Sequence, residues 1–216
     1  MSQNRSSAVM QQRSEPHDSL DDFPTPPWAT RAVLWQLEQL GHDLGDKSVR
    51  EPCANRGFMV RPLSETFGAV FASDVHDYGY GYSVRDYLFG PENQWDRTDW
   101  TFLNPPFRLA EAFIERALAL SRIGVVAIVR GAFAEGVGRY GRLYSVRPPS
   151  FEFQFVERVP MVKGRYDPDA STATSYIAML WQTADAIPAD TRKRWIPPCR
   201  KRFERPEDVE PFGKTL

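Results

Sequence analysis

The first regular pattern in the chain is an apolar stripe near its N-terminal end. The stripe consists of Val33, Leu34, Leu37 and Leu40. Intervals of three and four residues place these side chains on one face of an α-helix, so the pattern predicts a helix over residues 25–41. Pro26 and Pro27 suit the first turn of this helix, and Thr25 can cap it. Gly41 is typical of the residue that ends a helix.

From residue 47 onward, short apolar runs alternate with helical stripes. The apolar runs predict strands at residues 47–51, 69–73, 99–103, 123–129, 151–156 and 176–181. The stripes predict helices at residues 58–67, 109–120 and 133–144. Apolar strands that alternate with helices are typical of an α/β protein with a parallel sheet covered by helices on both faces.

The same pattern divides the chain into three segments. Residues 1–20 are polar and show no periodicity, which indicates a disordered leader. Residues 21–181 contain all the predicted helices and strands and form one domain. Residues 182–216 are charged and rich in turn-forming residues, and we expect this basic tail to wrap the surface of the domain.

Charge and cysteine content exclude several classes of function. The 27 basic and 28 acidic residues give a net charge of −1, so any affinity for nucleic acid must come from local patches. No apolar run approaches the roughly 18 residues of a membrane span, and the N-terminal segment lacks the apolar core of a secretory signal. Cys53 and Cys199 belong to no cysteine–histidine cluster, so no metal site is predicted. We therefore expect a cytoplasmic protein.

Polar residues stand at the ends of the predicted strands, where ligands bind in open α/β sheets. Glu51 begins the loop after the first strand, and Gly57 ends that loop before a helix. Asp74 follows the second strand, and an acid about 23 positions after the first strand's end commonly binds a ribose diol. Residues 104–107, Asn-Pro-Pro-Phe, follow a later strand. Each feature alone also suits a turn or a helix cap, so their combination has to be explained.

Together these segments resemble class I S-adenosylmethionine-dependent methyltransferases. Within that group the chain is most similar to the short phage and prophage enzymes that methylate the amino group of adenine in DNA. The resemblance covers roughly residues 22–181 and follows the gamma-type order of motifs. It implies a Rossmann-like, mostly parallel seven-stranded sheet, S-adenosylmethionine as the cofactor and DNA as the partner.

The resemblance also assigns roles to individual residues. Asn104, Pro105, Pro106 and Phe107 match the catalytic (Asn/Asp)-Pro-Pro-(Tyr/Phe) motif. Segments that bind the cofactor in the family match Phe23, Thr25 and Pro26 at the methionine end, Glu51, Pro52, Cys53 and Gly57 in the cofactor loop, Asp74 at the ribose, and Asp86 and Tyr87 beside the adenine.

The catalytic motif has a physical account. The lone pair of an adenine amino group is delocalised into the ring, which makes this nitrogen a weak nucleophile. The side-chain carbonyl of Asn104 and the backbone carbonyl of Pro105 would each accept one N–H and direct the lone pair towards the methyl group. Pro106 would hold the backbone, and Phe107 offers a stacking surface for a base flipped out of the duplex. This chemistry requires no metal.

One residue departs from the family pattern. Asn55 stands where the cofactor loop of the family has its first glycine. Asparagine tolerates a positive φ better than most residues, so the loop can keep its shape. The departure leaves open a different class of function, an inactive cofactor fold that binds nucleic acid or a partner. Methylation of an RNA base or of a protein glutamine also stays open, because those enzymes share the Asn-Pro-Pro-aromatic motif.

Local basic residues are the candidates for contact with DNA. Lys163 and Arg165 lie in a loop rich in Gly, Pro and Asp between the last two predicted strands. The tail contains Arg192, Lys193 and Arg194, although its acidic residues are also consistent with a simple solvated surface. Arg130 follows a buried strand and can line a base pocket.

Overall fold

The computed structural model describes residues 20–213, and within that range eight strands form one sheet with helices on its two faces. The strands are β1 Ser48–Glu51, β2 Ala69–Asp74, β3 Ser83–Val84, β4 Thr98–Leu103, β5 Ser121–Arg130, β6 Phe151–Phe155, β7 Tyr176–Gln182 and β8 Arg192–Ile196. The helices are α1 Pro27–Gln39, α2 Val60–Thr66, α3 Ala110–Leu120, α4 Val137–Arg139 and α5 Arg200–Phe203. The predicted leader, residues 1–20, lies outside the described residues except for Leu20.

The order of strands across the sheet is β3-β2-β1-β4-β5-β7-β6-β8. Strand β7 runs antiparallel to β5 and β6, and the other neighbouring strands are parallel. The predicted α/β class with a mostly parallel sheet is confirmed. Because β1, β2, β4 and β5 run in the same direction, their carboxyl ends meet at one edge of the sheet, where ligands bind in such folds.

The described sheet has one strand more than the seven that the resemblance implies. Strand β8 belongs to the charged segment that was expected to wrap the surface, and it pairs in parallel with β6 at the sheet edge. Within β8 only Ile196 is buried, so the sequence lacks the apolar alternation that predicts a strand. Strand β3 has two residues and is too short to produce a pattern.

Helix α1 ends at the predicted glycine but is capped differently from the prediction. Gly41 has a φ of +89°, and the N–H of His42 donates to the carbonyl of Leu37 at 3.1 Å, as in a Schellman motif. The N-terminal cap residue is Pro26, and no side chain caps the helix. The prediction that Thr25 caps α1 is therefore wrong. The Thr25 hydroxyl is buried and has no hydrogen-bond partner among residues 20–213.

The side chains of β5 alternate between two apolar cores. Val126 and Ile128 belong to the core on one face, together with Trp28 of α1. Val125 and Ala127 belong to the core on the opposite face, which α3 covers. This central strand is therefore buried on both sides, which explains its continuous apolar sequence.

The helix predicted at residues 133–144 is interrupted in the structure. The segment consists of a 3₁₀ turn at Gly131–Ala134, the three-residue α4, and a π-helical turn at Tyr140–Tyr144. Gly136 has a φ of +113°, which a right-handed helix does not accommodate. Gly138 and Gly141 weaken the helix further, since each interior glycine costs about 1 kcal/mol relative to alanine.

The last described residues return to the start of the domain. Arg31 of α1 forms ion pairs with Asp208 at 2.6 Å and with Glu65 at 2.8 Å. The N–H of Phe212 donates to the carbonyl of Arg56 at 2.8 Å, which places the segment beside the loop after β1. None of the helices between residues 20 and 213 combines the length and the apolar character that a membrane span requires.

Candidate active site

Two adjoining cavities open at the carboxyl ends of the central strands. Both are partly open to solvent, and the space between protein atoms, with its open part included, is about 680 Å³ in the first and about 360 Å³ in the second. Seven of the residues predicted for the cofactor line the first cavity: Phe23, Thr25, Glu51, Pro52, Cys53, Asp74 and Tyr87. In the catalytic motif, Pro106 lines the first cavity, Pro105 and Phe107 line the second, and Asn104 lines both.

Three residues predicted for the cofactor do not line either cavity. Pro26 is the cap residue of α1. Gly57 has a φ of +80° and donates its N–H to the carbonyl of Ala54 at 2.8 Å, so it shapes the loop turn. Asp86 is exposed and accepts the N–H of Leu88 at 2.9 Å. In the structure these three residues shape the backbone around the site and do not line its cavities.

The cofactor loop keeps its turn despite the asparagine. Asn55 has a φ of +51°, the left-handed conformation in which a glycine is usual. Its backbone N–H donates to Oδ2 of Asp74 at 2.9 Å, and its side chain donates to Oδ1 of Asp22 at 2.6 Å. Its Oδ1 accepts the N–H of Arg56 at 2.7 Å. These hydrogen bonds stabilise the positive φ, and the expectation that Asn55 tolerates a positive φ in this loop is confirmed.

Glu51 supplies a carboxyl group that is completely buried beneath the first cavity. Its Oε1 accepts the N–H of Cys53 at 2.7 Å, and its Oε2 has no partner among residues 20–213. Burial raises the pKa of Glu51 to about 8, with the Cys53 hydrogen bond acting in the opposite direction. Glu51 Oε2 and the Thr25 hydroxyl are thus unpartnered polar atoms of cavity-lining residues, and they fit a ligand that carries a cationic amino group.

Asp74 ends β2 and lines the same cavity. Its Oδ2 accepts the N–H of Asn55 and its Oδ1 accepts the N–H of His76, at 2.9 and 3.0 Å. Burial raises the pKa of Asp74, and these backbone hydrogen bonds partly offset that effect. Because each carboxylate oxygen has two lone pairs, Asp74 can still accept hydrogen bonds from the two hydroxyls of a ribose.

Asn104 stands at the end of β4 where the two cavities meet. Its Nδ2 donates to the backbone carbonyl of Phe23 at 2.8 Å and contacts the sulfur of Met161 at 3.7 Å. This amide orientation uses the donor end of the side chain within the protein. The acceptor end, Oδ1, is therefore the part of the side chain that can receive an N–H from a substrate.

The second cavity combines aromatic rings with one cation. Phe107, Phe133 and Tyr176 line it, together with Met161 and Arg130. The guanidinium carbon of Arg130 lies 4.9 Å from the ring centroid of Phe107, within the range of a cation–π contact. The cavity therefore suits a flat, nitrogen-rich group that can stack on a ring.

A short segment before Phe23 joins the parts of the site, and the sequence analysis missed it. Asp21 Oδ2 accepts the N–H of Phe107 at 2.6 Å. Asp22 forms an ion pair with Arg56 at 2.8 Å, and its carbonyl accepts the N–H of Gly164 at 2.9 Å. The only signal in the sequence is the position of these two acids directly before the Phe-Pro-Thr-Pro segment. Met161 and Tyr176 carry no local signal, because distant elements bring them to the site.

Apart from Arg130, which lines the second cavity, the residues predicted to contact DNA fall into two groups. Lys163 and Arg165 flank Gly164, which binds the segment before Phe23, so this loop lies beside the cavities. Strand β8, which carries the other basic run, lies at the sheet edge with β7 and β6 between it and β5. In that run, Lys193 pairs with Glu152 at 2.7 Å, and Arg192 and Arg194 contact the ring of Phe151.

Comparison with solved structures identifies the fold. A methyltransferase subunit of a type I restriction-modification system from Streptococcus thermophilus matches 91% of this chain with a TM-score of 0.63 and 10% identity. A proposed class I S-adenosylmethionine-dependent methyltransferase from Listeria monocytogenes matches 83% of this chain and 68% of its own, with a TM-score of 0.59 and 12% identity. A proposed RNA methyltransferase from Pyrococcus horikoshii matches 80% of this chain over 92% of its own length, with a TM-score of 0.54 and 17% identity.

These similarities show that the chain has the Rossmann-like fold of class I methyltransferases. The matched region is about half of the Streptococcus thermophilus subunit, at 51% of its length. No protein-family model matches the chain, and no curated protein matches it.

Proposed function

We propose that this protein transfers a methyl group from S-adenosylmethionine to the exocyclic amino group of adenine in DNA. The observation that carries the proposal is the position of Asn104. This residue lines both cavities, and its Nδ2 is bound to the Phe23 carbonyl, so its Oδ1 is available to a substrate amino group where the cavities meet. The fold and the order of the motifs along the chain support the same conclusion.

The first cavity would hold the cofactor, which supplies an electrophilic methyl group on a positively charged sulfur. Glu51 Oε2 and the Thr25 hydroxyl are the unpartnered acceptors for the amino group of its methionine part. Asp74 would accept the ribose hydroxyls, as an acid at the end of the second strand commonly does in nucleotide-binding sheets. The rings of Phe23 and Tyr87 also line this cavity, and the buried Tyr87 hydroxyl has no hydrogen-bond partner among residues 20–213.

The second cavity would hold the target base. Asn104 Oδ1 and the Pro105 carbonyl accept the two N–H bonds of the amino group, which withdraws its lone pair from the ring and directs it towards the first cavity. Phe107 provides a ring on which the base stacks, an interaction worth about 1–3 kcal/mol. Holding the nitrogen, carbon and sulfur in line would lower the barrier by roughly 7–11 kcal/mol more.

The target base can enter the second cavity only after it has left the DNA duplex. The loop with Lys163 and Arg165 lies beside the cavities and would contact phosphates, while Arg130 lines the base cavity itself. The similarity to a restriction-modification subunit supports a DNA substrate. The hydrogen bonds that hold Asn55 at positive φ count against an inactive cofactor fold, because the loop keeps the turn that glycine normally provides.

The test is incubation with S-adenosylmethionine and unmethylated DNA of mixed sequence, followed by nucleoside digestion and mass spectrometry. We expect N6-methyl-2′-deoxyadenosine above the level of a no-enzyme control. Asn104→Ala should lower the rate by about 100-fold or more while cofactor affinity changes less than about threefold. Asn93→Ala, which alters an exposed asparagine, is the matched control.

Two outcomes would contradict the proposal. Methylation confined to RNA or to protein glutamine in parallel reactions would assign the site to another amino group. Failure of the wild-type protein to bind the cofactor would favour a binding module without methyltransferase activity.

A further inference from the structure

We propose that the carboxylate of Asp21 balances the positive charge of the reacting centre and accepts the proton that the amino group loses. This inference rests on the proposed function and adds a residue that the family motifs do not include. It is based on the residues at the boundary between the two cavities. Among residues 20–213, only Asp21, Phe23 and Asn104 line both cavities.

A methyl group that moves from a cofactor in the first cavity to a base in the second must cross this shared boundary. Asn104 would hold the amino group there, and the Phe23 carbonyl orients Asn104. Asp21 is the third member of the boundary and its only ionisable side chain. Glu51 and Asp74 line the first cavity alone, and Arg130 lines the second.

The reaction moves a positive charge across this boundary. As the nitrogen–carbon bond forms, the carbon–sulfur bond breaks and its electron pair remains on sulfur. The positive charge passes from sulfur to the amino nitrogen, which then carries the methyl group and two hydrogens. One of these hydrogens must leave as a proton. The Asn104 and Pro105 carbonyls are neutral acceptors and are poor bases, so neither compensates the charge fully.

The carboxylate of Asp21 has the connections that this role requires. Its Oδ2 is held by the N–H of Phe107 at 2.6 Å, which ties the side chain to the catalytic motif. Ion pairs among the described residues do not include Asp21, whereas its neighbour Asp22 pairs with Arg56 at 2.8 Å. Within residues 20–213 the Asp21 side chain is exposed and forms no ion pair, although Arg130 lines the same second cavity, so Oδ1 can receive the proton.

The experiment compares the binding of two ligands that differ in charge at sulfur. S-adenosylmethionine carries a sulfonium cation, and S-adenosylhomocysteine carries a neutral thioether. Calorimetric titration gives both dissociation constants for the wild-type protein, Asp21→Asn, Asp21→Glu and Asp43→Asn. Asp43 is the matched control, because it is an exposed aspartate that also accepts a backbone N–H, from Gly45 at 3.2 Å.

We expect Asp21→Asn to reduce the preference for S-adenosylmethionine over S-adenosylhomocysteine by about tenfold, since it removes one nearby charge. The rate of a single turnover on adenine-containing DNA should fall by about 100-fold. Asp21→Glu should retain part of the preference for S-adenosylmethionine and part of the single-turnover rate. Asp43→Asn should change neither the preference nor the rate. Asparagine retains an oxygen that can accept the Phe107 N–H, so a purely structural role would change the affinities for both ligands equally.

An unchanged ratio of affinities in Asp21→Asn, with an active wild-type protein, would overturn the inference and leave the proposed function intact. A wild-type protein that binds both ligands but methylates no amino group in DNA would overturn the proposed function and this inference with it.

Discussion

At the scale of single residues, Glu51 shows how the site is prepared for a cationic ligand. Its carboxyl group is completely buried, and one of its oxygens has no partner among residues 20–213. Burial raises its pKa from 4.5 to about 8. Between these two pH values the folded protein holds a proton that the unfolded chain releases. The contribution of Glu51 to stability therefore falls as pH rises from about 4.5 to about 8 and does not change further above that range.

A neutral side chain of the same size should remove this pH-dependent destabilisation. Glu51→Gln should increase the free energy of unfolding at pH 8.5 by a few kcal/mol, at roughly 1.4 kcal/mol per unit of pKa shift, and have little effect at pH 4.5. Urea denaturation at both pH values measures the difference. Glu38→Gln, at an exposed position, is the control. A variant with wild-type stability at both pH values would show that the carboxylate is not destabilised by burial.

At the scale of elements, the segment between β6 and β7 and the strand β8 offer two different basic surfaces. Because β6 runs parallel to β5, the loop that follows β6 begins at the same edge of the sheet as the cavities. Strand β8 extends the sheet at the far side. Deletion of residues 182–216 would remove a strand and the Asp208 ion pair as well as the basic run, so charge substitutions give a cleaner test.

We predict that the loop contributes more to DNA affinity than β8. Substitution of Lys163 and Arg165 by alanine should remove about two phosphate contacts. Each contact contributes roughly 0.9 to the slope of log K against log salt concentration, so the slope should become shallower by about twice that amount. Substitution of Arg192, Lys193 and Arg194 should reduce it less, because β8 lies at the edge of the sheet with β6 and β7 between it and β5. Fluorescence anisotropy at several salt concentrations measures the slopes. A larger change in slope from the β8 substitutions than from the loop substitutions would place the duplex at the β8 edge.

At the scale of the whole molecule, a buried ion pair network connects the two ends of the described chain. The Arg31 guanidinium donates to both carboxylate oxygens of Asp208, at 2.6 and 2.8 Å, and to Glu65 on α2. Burial alone would lower the pKa of Arg31, but its hydrogen bonds to Glu65 and Asp208 hold it above the ordinary value. The network thus joins α1, α2 and the C-terminal segment that lies beside the cofactor loop.

Loss of one member should leave a buried charge without compensation. Asp208→Ala should reduce the free energy of unfolding by about 3–5 kcal/mol, the usual cost of breaking a buried ion pair from one side. Thermal denaturation followed by circular dichroism measures the change. Glu207→Gln, at the neighbouring exposed position, is the control. Its free energy of unfolding should stay within about 0.5 kcal/mol of the wild-type value. A loss below 1 kcal/mol for Asp208→Ala would mean that the C-terminal segment separates from α1 without cost.

The amino-acid sequence is enough to predict the class of fold and to indicate where along the chain most of the candidate site lies. Apolar runs such as that of β5 predict buried strands because their side chains meet a core on both faces. Parallel strands bring their carboxyl ends to one edge, so the positions of Glu51, Asp74 and Asn104 after successive strands already predict that they converge.

Other features depend on residues far apart in the chain and follow only from the three-dimensional arrangement of the elements. The charged strand β8 forms because β6 offers an unpaired edge, and its own sequence has no strand pattern. The contacts of Asp21 with Phe107 and of Met161 with Asn104 join segments that are far apart in the sequence. Periodicity reports the environment of one element, whereas these contacts join separate elements, so no local pattern in the sequence contains them.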